Sequence, residues 1–490
     1  MDPQGRWVSI LAPSRLQRRR ACVHSGLESG IQPMNPMFLS TISQAGAGLS
    51  ARQRTAARMP AACWDGWMTY RLIKRGLASS HWSAEHLRRT QERALRDLLV
   101  HAYSHVPLYR SLYDDAGFRP EHVRSLADLD AIPILTKDRL KSAAPHEMLS
   151  DGTDAGDCTS VHTSGSTGSP LRIVLGTGDR RWQRAAAWRI LFEHGFRWTD
   201  RTMEIRMTFG ETFFVQRIGI APKDWMSILD PPESWAARVA ETRPDVIVAG
   251  AGTLHALAEA VESLGTMLHP PRLIISDSET LSAATRSFVR RVLGSTPIDV
   301  YGLVEVSNFA WECERGQGFH VSADSHIVEV AAPPKTPGPL IVTALGMRTM
   351  PIIRYDTGDF AEQDVTACPC GRRMPRLSRI LGRAVDSVRL PDGRRLFWPF
   401  FHEILARHRQ LRQWRVIQET LRSLRLQIVA PTRHDGLIEH IEADLTKALP
   451  AGMTWTIERV DHIPVPAGAK TRMVTSQLGT DRQSTEEYPS

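Results

Sequence analysis

The period of the hydrophobic positions changes along the chain. Between 84 and 106, Leu87, Leu95, Leu98, Leu99 and Ala102 fall on one stripe of a helical repeat, predicting an amphipathic helix that Pro107 ends. "SLADLDAIPILTKDRLKS" then reads as a short helix, a Pro-broken turn and a helix start. Further on, "DVIVAG" is strand-like, "LHALAEAVESLG" is helical, "RLIISD" is strand-like and is turned by "SET", and the helix-like "AATRSFVRRVLG" leads into the strand "IDVYG". This β-α-β-α-β order predicts right-handed crossovers and a parallel sheet, with ligands outside the C-terminal ends of the strands. "SDSET" and "YGLVE" both fall at such ends. From "GPLIVTAL" the texture turns to short strands, and beyond Gly382 "FFHEILARH" and "LIEHIEADLTKAL" mark a separate small unit. The expected class is α/β: a large N-terminal domain with mainly parallel sheets and flanking helices, plus a small mobile C-terminal α+β domain.

Composition narrows this picture. A chain of 490 residues with 42% hydrophobic and 23% charged residues is that of a soluble globular protein, and no uncharged apolar run is long enough to span a bilayer. Residues 1–60 hold eight arginines against Asp2 and Glu28, a net of +6 out of the chain's +8, so the remainder is nearly neutral. That distribution argues against a nucleic-acid partner and makes 1–60 a disordered basic leader. The leader lacks the apolar stretch of a secretory signal, which points to the cytoplasm and to no membrane partner; an organellar transit peptide and an upstream start both fit its Arg-rich, acid-poor make-up. Six cysteines in so long a chain are reduced thiols or metal ligands rather than a disulfide framework.

The loop "HTSGSTGSP" stands between two strand-like runs. Glycines at 165 and 168 allow close backbone approach, and Ser164, Ser166 and Thr167 add hydroxyls, so the loop suits a polyphosphate without matching the Walker A spacing. A plain Ser/Gly surface turn is the alternative.

Other segments bear on that choice. The order "TSGSTGSP" (163–170), "YGLVE" (301–305), "RYDTGD" (354–359), "GR" (382–383) and "GAKTR" (468–472) resembles the ordered motifs of the adenylate-forming superfamily of acyl-CoA ligases, adenylation domains and luciferases. "LLVHAYSHVPLYRSLYDDAGFRPEHVRSLADLDAIPILTKDRL" and "CPCGRRMPRLSRILGR" look like its phenylacetate-CoA ligase branch and the related capsule-biosynthesis proteins. The resemblance implies activation of a small carboxylic acid by ATP as acyl-AMP, release of pyrophosphate, then transfer to coenzyme A. The alternative acceptor is an amine, a hydroxyl or a carrier protein.

It also implies roles. Ser164, Gly165, Ser166, Thr167 and Gly168 hold the phosphates, and Glu305 holds Mg²⁺. Ser278, Glu279 and Tyr301 border the adenine, while Asp359 and Arg383 anchor the ribose. Lys470 neutralises charge during adenylation. The implied domains are the leader 1–60, an ATP- and acid-binding domain over 61–382, and a lysine-bearing domain over 383–490; a homodimer is left open.

Cys313 and His320 lie seven apart in "ECERGQGFH", and Cys368 and Cys370 lie two apart in "ACPCG". Three thiolates and an imidazole form a closed set suited to structural Zn²⁺, with buried thiols as the alternative. Two departures from the family pattern stand out: Ala469 replaces the usual glycine before Lys470, and "GRAVDSV" puts Val385 where the pivot carries its first acid, leaving Asp386. "IRMTFGETFF" (205–214) and "VIVAGAG" (246–252) are the candidate walls of the acid pocket.

Overall fold

The structure is a computed structural model and describes residues 61–163, 170–207, 216, 219–315, 318–408, 410–431, 436–464 and 472–478. The leader, Ser164, Gly165, Ser166, Thr167, Gly168 and Lys470 lie outside the described residues.

Helix α1 (Ala61–Ser79) leads into α2 (Ala84–His105), which Ser83 caps by accepting the His86 N–H. Leu95, Leu98, Leu99 and Ala102 of α2 enter the main core as predicted. Pro107 does stop α2, but it also opens α3 (Pro107–Asp115), because its missing N–H is harmless at a first helical position. Helix α4 (Lys137–Ser142) is capped by Thr136. Just before it, Leu135 makes a parallel bridge to Tyr355, which ties this segment to the strand that begins there.

Strands β1 (Thr159–His162) and β2 (Arg172–Leu175) pair antiparallel and flank the Gly/Ser loop, and α5 (Thr177–Glu193) follows. The main sheet then unfolds in order as β3 (Thr202–Arg206), β4 (Lys223–Ser227), α6 (Pro232–Thr242), β5 (Val246–Gly250), α7 (Ala251–Ser263), β6 (Leu273–Asp277), α8 (Ala283–Leu293) and β7 (Pro297–Leu303). Five antiparallel-linked or edge elements close it: β8 (Ser307–Glu312), β9 (Phe319–Val321), β10 (His326–Val330), β11 (Pro337–Ala344) and β12 (Tyr355–Asp364), with β13 (Arg376–Arg383) between β12 and β9. Among the described residues the sheet has 11 strands, in the order β10-β11-β12-β13-β9-β8-β7-β6-β5-β3-β4.

The run β4-β3-β5-β6-β7 is parallel, as the alternation of strands and helices predicts. From β7 onward the pairing is antiparallel, because short turns rather than helices connect the strands. Met203, Ile205, Ile247, Ala249 and Ile274 pack with α6, α7 and α8, whereas Val246, Val248, Leu273, Ile275 and Val300 pack with Ile190 of α5. Side-chain alternation thus buries both faces, the usual state of a parallel sheet.

Beyond Arg383, β14 (Ser387–Arg389), β15 (Arg395–Phe397), α9 (Trp398–Leu405), β16 (Gln413–Gln418), β17 (Ser423–Val429), α10 (Leu437–Ala448), β18 (Thr454–Arg459) and β19 (Val474–Ser476) make a second unit. It has its own four-stranded sheet, β18-β17-β16-β19, and its own core from Val388 to Val474. No helix among the described residues is long and apolar enough to cross a membrane.

Candidate active site

Parallel strands end in a common edge, and here three consecutive ends supply turns rather than continued ladder. After β5, Gly250 and Gly252 start α7 and expose their backbone, and the Glu279 carboxylate accepts the Gly252 N–H at 2.7 Å. After β6, Ser278 takes a left-handed φ of 66°, so the chain reverses sharply and presents Ser278, Glu279 and Thr280 outward. A β-bulge at Tyr301/Gly302 then breaks the register of β7.

These turns form one wall of a cleft of about 590 Å³, whose far side comes from Arg383, Asp386, Trp398, His402 and Arg472. The cleft therefore lies between the large sheet and the small unit.

The structure brings Tyr301, Asp359 and Arg383 together. The Tyr301 hydroxyl donates to Asp359 Oδ2 at 2.6 Å, and Arg383 Nε stands 3.9 Å from Oδ1. Arg383 faces Asp359 because β12 and β13 pair these two residues directly. Burial pushes the Asp359 carboxyl above the usual carboxylate range, while Tyr301 and Arg383 pull it back. An acceptor held this way suits a pair of vicinal hydroxyls.

Glu305 is buried beneath Tyr355, whose hydroxyl donates to it at 3.0 Å. Lys137 Nζ stands 3.7 Å from the same oxygen, at the first turn of α4. The sequence signals missed Lys137, since a lysine in "TKDRL" reads as a solvated helix start. The Leu135–Tyr355 bridge, a long-range pairing that no local pattern announces, brings it in.

Asp299 was also missed. It lines the cleft two residues before Tyr301, and its carboxyl is pushed up to about 8 by burial and by neighbouring Glu312, with Arg286 opposing. On the small unit, the Arg472 guanidinium reaches Asp386 at 3.6 Å, so the last segment of the chain meets the connector between the two units.

Cys313, His320, Cys368 and Cys370 form a second cluster, with all four ligand atoms within 4.8 Å of one another. Cys313 Sγ and Cys368 Sγ are 3.5 Å apart, and Cys370 Sγ is 3.3 Å from His320 Nε2. The sulfur–sulfur gap exceeds a disulfide and approaches the roughly 3.8 Å edge that a zinc–sulfur distance of about 2.3 Å gives a tetrahedron. Burial pushes the Cys313 thiol up and holds His320 down to about 4, so the imidazole is neutral and able to ligate. The set fits a metal in donor type and spacing, and it sits where β8, β9 and the β12–β13 connection meet.

No protein-family model matches the chain. It is 30% identical over 326 residues to the phenylacetate-coenzyme A ligase of Thermus thermophilus, a match covering 62% of this chain and 72% of that one. Against the phenylacetate-coenzyme A ligase of Escherichia coli it is 30% identical over 330 residues, covering 62% and 73%. Its fold resembles that of a 2-hydroxyisobutyryl-CoA ligase, with a TM-score of 0.67 at 18% identity, covering 83% of this chain and 93% of that one. With the shared sequence and the strand-end cleft taken together, the chain belongs to the phenylacetate-coenzyme A ligase family, whose fold is that of the adenylate-forming ligases.

Proposed function

We propose that the chain activates a small carboxylic acid with ATP as an acyl-adenylate, releases pyrophosphate, and passes the acyl group to coenzyme A. The observation that carries this reading is the convergence of Tyr301, Asp359, Arg383 and the Ser278–Glu279 turn on one cleft in a member of this family. Asp359 accepts from the ribose hydroxyls and Arg383 reaches the same sugar. Tyr301, Ser278 and Glu279 border the base.

The carboxylate of the acid attacks the α-phosphorus, and the bond to the departing pyrophosphate breaks. Charge then builds on the phosphates. The backbone N–H groups and hydroxyls of Ser164, Gly165, Ser166, Thr167 and Gly168 serve that charge, and Lys470 neutralises it between carboxylate and α-phosphate. Glu305 is the residue to hold Mg²⁺, which supplies charge compensation at the phosphate oxygens. Cys313, His320, Cys368 and Cys370 are the residues to hold a structural Zn²⁺ that braces the antiparallel half of the sheet.

The small unit, 383–490, turns about the connector between the two half-reactions. Val385 takes the position of the pivot's first acid, and the "RLPDGRRLFWPFFHEIL" stretch after it resembles the capsule-associated proteins more than the usual coenzyme A ligases.

The test is ATP–pyrophosphate exchange over a panel of acids, then AMP and thioester release with and without coenzyme A. Acid-dependent exchange that needs no coenzyme A, followed by coenzyme A-dependent thioester, is expected. Acid-dependent AMP release to an amine or a carrier protein instead would move the acceptor. Lys470→Ala should abolish exchange yet spare thioester formation from supplied acyl-adenylate.

A further inference from the structure

Helix α1 hides one stripe of residues and shows another. Thr69, Ile73, Gly76 and Ser79 recur at helical spacing and are buried where α1 packs along α5. Gly76 lets the two helices close, because a Cβ there would meet Arg189 Cδ at 2.9 Å. Asp65, the one acidic residue of α1, is taken up by α5 as well, with Arg181 and Arg184 at 2.9 and 2.5 Å from its carboxylate.

The outer stripe consists of Trp64, Trp67, Arg71, Lys74 and Arg75, all exposed. At 3.6 residues per turn these five fall within about 100° of the helix circumference. Trp64 and Trp67 are 51% and 41% exposed, and among the described residues no other Trp, Phe or Tyr is exposed. Two indoles left in water, on a protein that covers its other aromatic rings, mark a contact surface. With Asp65 turned to α5, the stripe is purely basic. The preceding residues 1–60 add a net +6, and Arg52, Arg54 and Arg58 stand just ahead of α1 in sequence. Since a residue spans at most about 3.6 Å, Arg58 stays within about 22 Å of Trp64 whatever path the chain takes.

We propose that this stripe seats the protein on an anionic lipid surface, with Trp64 and Trp67 entering the headgroup layer and Arg71, Lys74 and Arg75 meeting the lipid phosphates. The lack of a secretory signal and of a membrane-crossing helix bears on spanning a bilayer, not on lying against one. Indoles favour the lipid–water boundary, being apolar in the ring and polar at the N–H. Basic residues beside them gain from a negatively charged leaflet, and the leader gains in the same way. A second copy is a poor occupant, because a two-fold contact lays the stripe on itself, opposes its cations and brings two +6 leaders together. A nucleic acid strand is held in a basic groove, whereas this stripe is the ridge of a convex helix. None of these residues lines the cleft, so the inference goes beyond the ligase reading and does not rest on it.

The experiment is co-sedimentation of the full chain with vesicles of phosphatidylcholine alone and of phosphatidylcholine mixed with phosphatidylserine. Binding to the mixed vesicles is expected to be at least about tenfold tighter, and to weaken as salt is raised. Trp64→Ser with Trp67→Ser is expected to weaken it by about tenfold or more, with the melting temperature checked alongside. Arg71→Gln with Lys74→Gln is expected to lose most of the preference for the anionic vesicles, and covers the case of a tryptophan variant that does not fold.

No binding to the mixed vesicles overturns the proposal. Binding that both variants keep overturns it too, since the leader alone would then make the contact. A tryptophan-dependent dimer that ignores vesicles assigns the stripe to a second copy, and tryptophan-dependent binding of single-stranded RNA without vesicle binding assigns it to a nucleic acid. Either result overturns the lipid surface.

Discussion

Lys137 shows what a single residue adds that its neighbourhood in sequence hides. Lys137 Nζ stands 3.7 Å from the buried Glu305 carboxylate, and in the proposed reading it balances that charge before substrate arrives and faces the phosphates afterwards. Lys137→Met is therefore expected to slow ATP–pyrophosphate exchange by about a hundredfold, the usual effect of losing one preorganised group that meets developing charge. Its melting temperature should scarcely move, because the side chain is a third exposed. Full exchange activity in the variant would remove Lys137 from the site.

Asp299 makes a different kind of residue prediction. Its carboxyl is pushed up to about 8, against about 3.9 for an unfolded chain, so the folded protein holds a proton that the unfolded chain releases. The stability contributed by that proton is whole below about pH 4 and is lost as pH rises toward 8. Asp299→Asn keeps the neutral shape without the titration. Urea unfolding at a series of pH values should show the wild type losing stability relative to the variant across that window, and parallel curves would contradict it. Glu305, Tyr301, Asp359 and Arg383 could be named as candidates from sequence because their types stand inside ordered motifs. Lys137 and Asp299 could not, since both stand outside those motifs and Lys137 reaches Glu305 only through the long-range Leu135–Tyr355 bridge.

At the scale of elements, the alternation of strands and helices between 245 and 302 was readable because each parallel strand needs a crossover helix, and that need writes a long local pattern. The antiparallel half was harder to read. Its order, with β13 lying between β12 and β9, is set by pairings such as Arg376 with His320 that carry no local signature.

The cysteine cluster sits across those pairings. If it holds zinc, it fastens β8 and β9 to the β12–β13 connection, and purified protein should contain about one equivalent of the metal. Cys368→Ser with Cys370→Ser should lose that metal and several degrees of melting temperature, while the folded fraction keeps its affinity for ATP, because none of the four side chains lines the cleft proposed for the nucleotide. Metal-free protein by elemental analysis, with unchanged stability in the double variant, would leave four ordinary side chains, three buried and one half-buried.

At the scale of the whole molecule, the described residues form two separately cored units joined at residues 384–386, with the cleft between them. Separate cores let the small unit move as a body, since turning it repacks only the interface and not either interior. A motion of that kind would fall on the connector, where Gly382 takes a φ of 96° and Ala384–Asp386 form a single tight turn. Gly382 supplies conformational freedom on one side of Arg383. On the other side stands Val385, whose branched side chain restricts the backbone.

Contacts that oppose rotation from this pose include Arg383 with Asp359 on the large unit, Phe360 of the large unit with Phe397 and Arg395 of the small one, and Arg472 with Asp386 of the connector. If adenylation and thioester formation use different poses of the small unit, the connector limits the second step and not the first. Val385→Gly is then expected to raise the single-turnover rate of thioester formation from preformed acyl-adenylate, while acid-dependent pyrophosphate exchange stays as it was. A change of equal size in both rates would mean that the valine acts on the site directly. No change in either would place the pivot outside 384–386.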